Sequence, residues 1–150
     1  NIMKGYYNNV EGTREAFWPG NWFRSGDVGI LDDNGYLFIV DRLKDMIISG
    51  GENVYSTEVE EVLYAFPGVQ ECAVIGTPDK EWGERVIAFI LPKPGQTIDQ
   101  KEVKDFLKVR LTAYKVPKRF FMVDDFPRSP AGKLLKRKLR ESFLKDDNSA

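Results

Sequence analysis

Apolar residues fall into two periods along this chain, and the changes of period mark its elements. Val28–Leu31 and Tyr36–Val40 are apolar runs flanking Asp32-Asp-Asn-Gly35. Asn34-Gly35 favours a type I′ turn, which needs positive φ at both central positions. The pattern predicts a β-hairpin. Asp41–Asp45 is a charged break, Met46–Ile48 reads as a short strand, and Ser49-Gly50-Gly51 forces a tight turn after it. From Thr57 the period becomes helical. Val59, Val62, Leu63 and Phe66 lie at i, i+3, i+4 and i+7, one helix face. Pro67-Gly68 stops that helix.

Cys72–Ile75 and Val86–Leu91 are apolar strands separated by the polar loop Thr77–Glu84. Asp99 with Glu102 resembles a capping box. The helix it opens buries Val103, Phe106 and Leu107 and closes at Tyr114–Pro117. Arg119–Val123 is a further strand and Pro127–Gly132 a loop. A basic final helix is expected from about Lys133 to Leu144. The first 20 residues show no clear period.

From Lys44 onward the order is strand, helix, strand, strand, helix, strand, helix. That order predicts an α+β chain, a small α/β sandwich with a mixed three-stranded sheet and packed helices. The earlier hairpin is expected to belong to another unit. The expected divisions are 1–40, a boundary at 41–45, a second unit over 46–145 and a frayed tail over 146–150. The chain starts without methionine or a capping signal, so a piece of a longer protein is expected.

Composition narrows the chemistry. Hydrophobic residues make up 42% and charged residues 30% of the 150 positions, a soluble globular balance. A net charge of −1 argues against a dedicated nucleic-acid binder. No apolar run reaches the roughly 20 residues that span a bilayer, so membrane contact is expected to be peripheral at most. The one cysteine, Cys72, excludes an internal disulfide and fits a reducing, cytoplasmic setting. There is no histidine, which excludes Ser-His-Asp and Cys-His catalysis within this chain. The usual histidine and cysteine zinc sets are excluded as well, and no metal site is expected.

Four places could carry chemistry. Lys133 follows the small, turn-forming run Pro127-Arg-Ser-Pro-Ala-Gly132. A mobile ammonium there can bridge a carboxylate and a phosphate, or simply begin a solvated basic helix. The G-x-x-x-x-G-K-[ST] phosphate loop is absent. Asp27 ends Trp22-Phe-Arg-Ser-Gly-Asp27, where an acid can accept ribose hydroxyls or form an Asx turn. Arg42 suits phosphate or ribose oxygens or a surface salt bridge. Ser49-Gly50-Gly51 lets backbone pass close to a thin ligand, or is only a turn. Lys136, Arg137, Lys138 and Arg140 read as a solvated helix face.

Taken in order, Trp22–Asp27, Asp41–Tyr55, Tyr114–Pro117 and Pro127–Lys133 resemble the AMP-forming acyl-CoA synthetases of the adenylate-forming superfamily. The resemblance covers essentially the whole chain and implies a two-step reaction. Acid and ATP give an acyl-adenylate and pyrophosphate, then the thiol of coenzyme A displaces AMP. A small carboxyl-terminal lid rotates between the steps. The resemblance makes residues 1–40 the end of a large amino-terminal domain, 41–45 a hinge and 46–145 the lid.

By position it implies that Asp27 holds the ribose hydroxyls of ATP and that Arg42 contacts the nucleotide. It places Lys44 at the hinge and Lys133 between substrate carboxylate and α-phosphate. Ser49, Gly50 and Gly51 would line the path of the coenzyme A arm. Glu58 and Glu60 also match and read as structural. The implied co-substrates are ATP with Mg, whose site is expected outside this chain, and coenzyme A. The remaining partners are a carboxylic acid and the amino-terminal domain. Asp41–Tyr55 is most similar to fatty-acyl ligases, and Asn53 departs from acetate-type ligases. An aryl-CoA ligase, a peptide-synthetase module and a non-catalytic nucleotide- or CoA-binding module are the alternatives.

Overall fold

In a computed structural model, which describes residues 2–147 and leaves out the side chains of 146 and 147, the chain begins with small elements. Helix α1 (Val10–Glu15) is capped by the Asn9 side chain and buries nothing. Strands β1 (Phe17–Trp18) and β2 (Trp22–Phe23) pair antiparallel. Next comes the expected hairpin, β3 (Asp27–Leu31) with β4 (Leu37–Arg42).

The turn of this hairpin differs from the type I′ expectation. Gly35 alone has positive φ, and its amide donates to the Asp32 carbonyl at 2.9 Å. The Asp32 carboxylate accepts the amides of Asn34 and Tyr36 at 3.0 and 2.8 Å. That side chain holds the preceding residues in an ordinary turn and leaves the left-handed position to glycine. The type I′ signature lies instead at Gly50 and Gly51, with φ of 62° and 84°. These two residues join β5 (Ile47–Ser49) to β6 (Glu52–Val54).

Helix α2 (Ser56–Tyr64) follows, with Val59 and Leu63 fully buried. Strands β7 (Val69–Asp79) and β8 (Gly83–Pro92) pair antiparallel, reaching further than their apolar cores. The expected loop over Thr77–Glu84 shrinks because the Asp79 carboxylate takes the amides of Glu81 and Trp82 at 2.9 and 3.0 Å. Asp79 also pairs with Arg85 at 2.9 Å.

Helix α3 (Gln100–Lys108) starts at Asp99, whose carboxylate accepts the amides of Lys101 and Glu102. It ends well before Tyr114. Strand β9 (Arg119–Met122) then runs parallel to β8. Helix α4 (Lys136–Asp147) starts three residues later than expected. Beyond 147, the tail expected over 146–150 lies outside the described residues.

The long strands β7, β8 and β9 form the mixed sheet read from the sequence. The β5–β6 hairpin joins β8 at Ser49 and Gly83, so the sheet has five strands rather than three. Its two faces follow the period-two alternation of β7 and β8. Cys72, Val74, Val86, Ala88 and Ile90 point to a core shared with α2 and α3. Ala73, Ile75, Ile87 and Phe89 point to a second core with Phe126 and α4. Burying a side chain such as Leu63 stabilises the fold by roughly 2 kcal/mol. Rings of Phe89, Phe121 and Phe143 meet at 5.1–5.9 Å and fasten α4 to the sheet.

A lysine cleft beside the end of β4

Lys133 sits on a turn, not on the helix. The Ser129 amide donates to the Lys133 carbonyl at 2.8 Å, and the Lys133 amide donates to Ser129 Oγ at 3.2 Å. Gly132, at φ 78°, supplies the left-handed residue of the turn. Arg128 and Leu134 face each other across its base. Lys133 therefore stands three residues before α4.

Further cations come from the end of β4, from the residues just after it and from α4. Asp27 and Arg42 are cross-strand partners in β3 and β4, and their side chains meet at 3.5 Å. After Arg42 the backbone turns, with the amides of Asp45 and Met46 both donating to its carbonyl. Arg42 and Lys44 thereby line one cleft of about 500 Å3 with Lys133 and Arg137. Positions about 90 apart in sequence meet here.

Two of the acids in this cleft are committed to other cations. Glu60 pairs with Lys136 at 2.7 Å, and Glu71 pairs with Arg128. Asp45 also lines the cleft. Among the described residues no carboxylate pairs with Lys133 Nζ. Of the five cations that line it, Arg42, Lys136 and Arg137 are paired with Asp27, Glu60 and Glu141, and Lys44 and Lys133 have no carboxylate partner among the described residues. Two unpaired ammoniums in one cleft suit a phosphate or carboxylate ligand.

The remaining expected site residues lie elsewhere. Asp27 borders a separate hollow of about 580 Å3 with Trp18, Trp22 and Phe23. Ser49 is buried, and Gly50 and Gly51 form their hairpin turn outside the Lys133 cleft. A Cβ on Gly50 would meet the Trp82 ring at 2.7 Å, and the Gly50 amide donates to the Trp82 carbonyl at 2.8 Å. Lys133, Arg42 and Lys44 are therefore brought together, Asp27 adjoins them through Arg42, and the glycine turn is apart.

Behind the cleft lies a polar network that sequence reasoning missed. Tyr55 gives α2 no side-chain cap. Asp41, buried at the end of β4, does so from outside: its carboxylate accepts the Ser56 amide at 2.6 Å and the Ser56 hydroxyl at 3.0 Å. An anion there satisfies an orphan amide and complements the helix dipole. Lys136 Nζ donates to Ser56 Oγ at 2.7 Å. Glu60 also accepts the Val74 amide at 2.7 Å.

Burial pushes the Glu60 carboxyl above the ordinary range even though Lys136 opposes the shift. Burial, with Glu60 nearby, pushes the Cys72 thiol up to about 12, so it is no nucleophile at neutral pH. Glu58 pairs with Lys115 at 2.7 Å, whose pKa that hydrogen bond raises. Both glutamates are held in ion pairs with lysines of other elements. A signal for Lys136 existed: with Leu139 and Phe143 it lies on the inward face of α4. Among the described residues there is no cluster of His, Cys, Asp and Glu that could hold a metal ion. Among the described residues no helix is long and apolar enough to cross a membrane.

A family model described as AMP-binding enzyme C-terminal domain matches residues 58–133. A feruloyl-CoA synthase from Amycolatopsis sp is 51% identical over 143 residues, 95% of this chain and 29% of its own length. The long-chain-fatty-acid–CoA ligase FadD13 of Mycobacterium tuberculosis is 49% identical over 142 residues, 95% of this chain and 28% of its own length. ATP-bound MatB from Rhodopseudomonas palustris superimposes with a TM-score of 0.88 at 42% identity, covering 95% of this chain and 28% of that one. Apo MatB from the same organism gives 0.70 at 43% identity over the same shares. The chain spans under a third of the length of these relatives. The chain belongs to the AMP-binding enzyme C-terminal domain family.

Proposed function

We propose that this chain is the carboxyl-terminal lid portion of an ATP-dependent acid–CoA ligase, and that Lys133 serves its adenylation step. The observation that carries the reading is the cationic cleft, where Lys133 has no carboxylate partner among the described residues and faces Arg42 and Lys44. In this reading a carboxylate oxygen attacks the α-phosphorus of ATP and pyrophosphate leaves. The Lys133 ammonium lies between carboxylate and α-phosphate and stabilises the charge that develops there. Coenzyme A thiol then attacks the acyl carbonyl and AMP leaves.

Asp27 takes the ribose hydroxyls and Arg42 the adjoining oxygens, which fits their pairing at 3.5 Å. Residues 1–40 complete the amino-terminal domain, 41–45 form the hinge about Lys44 and 46–145 form the lid. The two TM-scores for MatB support a hinge, because one neighbour matches better with ATP bound than without it. Ser49, Gly50 and Gly51, on a different part of the lid, would line the coenzyme A arm once the lid has turned. Mg accompanies ATP on the amino-terminal domain. The setting is cytoplasmic.

The acid is a fatty acid in the leading reading, which rests on Asp41–Tyr55 and on the likeness to FadD13. An aryl acid is the second reading, favoured by the feruloyl-CoA synthase. The test is thioester formation by the full-length enzyme with coenzyme A and a panel of fatty and aryl acids. Fatty acyl-CoA as the main product supports the lead. Aryl-CoA as the main product selects the second reading, and no CoA thioester from any acid overturns both.

A further inference from the structure

We infer that Arg128 is a positioning residue for Lys133, anchoring the turn that carries the lysine and neutralising an acid that lines the same cleft. The inference rests on the reading of Lys133 given above. Arg128 Nη1 donates to the Gly132 carbonyl at 3.1 Å, the peptide that leads into Lys133. Arg128 Nη2 pairs with the Glu71 carboxylate on β7. One guanidinium therefore ties the turn to the central sheet at the residue before the lysine. Its planar fork holds both acceptors at a fixed angle, which an ammonium on a flexible stem does not reproduce.

The second effect is electrostatic. Glu71 lines the cleft that Lys133 lines. While Arg128 holds Glu71, that carboxylate is occupied. Without Arg128, Glu71 becomes a free anion in the same cleft, able to capture Lys133 in place of a substrate carboxylate or phosphate. Glu60 offers no such competition because Lys136 holds it at 2.7 Å.

The experiment uses the full-length enzyme, with adenylation followed by pyrophosphate release and thioester formation followed from supplied acyl-adenylate. Arg128→Ala is expected to lower the adenylation kcat by about 10- to 100-fold, since misplacing a reacting group by ~1 Å costs on that order. KM for ATP and the thioester step stay close to wild type. Arg128→Lys recovers little, because it reaches only one acceptor. Arg128→Ala with Glu71→Gln recovers part of the lost rate, because no acid then captures Lys133. Adenylation by Arg128→Ala within about 2-fold of wild type would overturn the inference. So would equal loss of both half-reactions, or a double variant no faster than Arg128→Ala. If Arg128→Ala does not fold, Arg128→Lys carries the same test, and its full activity overturns the inference. Lys133→Ala measured alongside separates the failures. Adenylation surviving that change sinks the reading of Lys133. Its loss there, with none in the Arg128 variants, sinks the role of Arg128 alone.

Discussion

Lys136→Met probes the network behind the cleft. The change removes an ammonium that lies 2.7 Å from Glu60 Oε1 and 2.7 Å from Ser56 Oγ, while keeping most of the side-chain volume. The Glu60 side chain is 14% exposed and that of Lys136 18%, so little water replaces the lost partner. Removing one member of a buried pair costs about 3–5 kcal/mol. Partial exposure trims this to about 2–3 kcal/mol, a fall in Tm on the order of 10 °C for a chain of this size.

The pH dependence gives the sharper test. Glu60 is already held above its ordinary value by burial, and Lys136 is the main opposing influence. Without Lys136 the folded-state pKa rises further above the unfolded value. A folded carboxyl that prefers its proton loses stability as pH climbs from the unfolded pKa through the folded one. The penalty is therefore larger at neutral pH than at acid pH and shrinks on acidification. Urea unfolding of wild type and variant at pH 7.5 and 5.5, compared as differences at each pH, reads this directly. The gap should narrow at the lower pH, and Glu60→Gln added to Lys136→Met should close most of it. A gap equal at both pH values, or a loss under about 1 kcal/mol, would refute the account of a stranded carboxylate.

Three further outcomes are expected. Gly50→Ala should cost more than Gly51→Ala in thermal unfolding, by about 1 kcal/mol, since both strain a left-handed position but only Gly50 has the Trp82 ring 2.7 Å from a new Cβ. Cys72, buried and with its pKa pushed up to about 12, should resist alkylation by iodoacetamide at pH 8 until urea unfolds the chain. Lys44→Pro in the full-length enzyme should hold the lid in one orientation and slow thioester formation more than adenylation, and unchanged thioester rates would count against the hinge.

Much of the fold could be read from alternation and helical spacing. Val59, Val62 and Leu63 mark α2 because one helix face meets the sheet, although the helix ends at Tyr64, before Phe66. Cys72–Ile75 and Val86–Leu91 mark β7 and β8, and being apolar at every position they bury both faces, one in each core. The misreadings have local causes. Leu134 and Leu135 among basic residues look helical, yet Ser129 closes a turn onto Lys133 and delays α4 to Lys136. Asp32 captured the turn assigned to Asn34-Gly35, while Gly50 and Gly51 provide the two positive φ values.

The site was harder to read. Arg42 and Lys44 lie about 90 positions from Lys133, and only the fold places them in one cleft. Lys136 sits in a run of bases that looks solvated, yet it turns inward toward Glu60 and Ser56. Asp41 caps a helix that begins 15 residues later, a link that no local pattern carries.

Lys133→Ala in the full-length enzyme tests the central claim most directly, with the two half-reactions measured separately. The account predicts a loss in adenylation of about 100-fold or more, the scale of removing one preorganised charge from a transition state, with thioester formation from supplied acyl-adenylate largely kept. Equal loss of both steps, or adenylation unchanged, would contradict it.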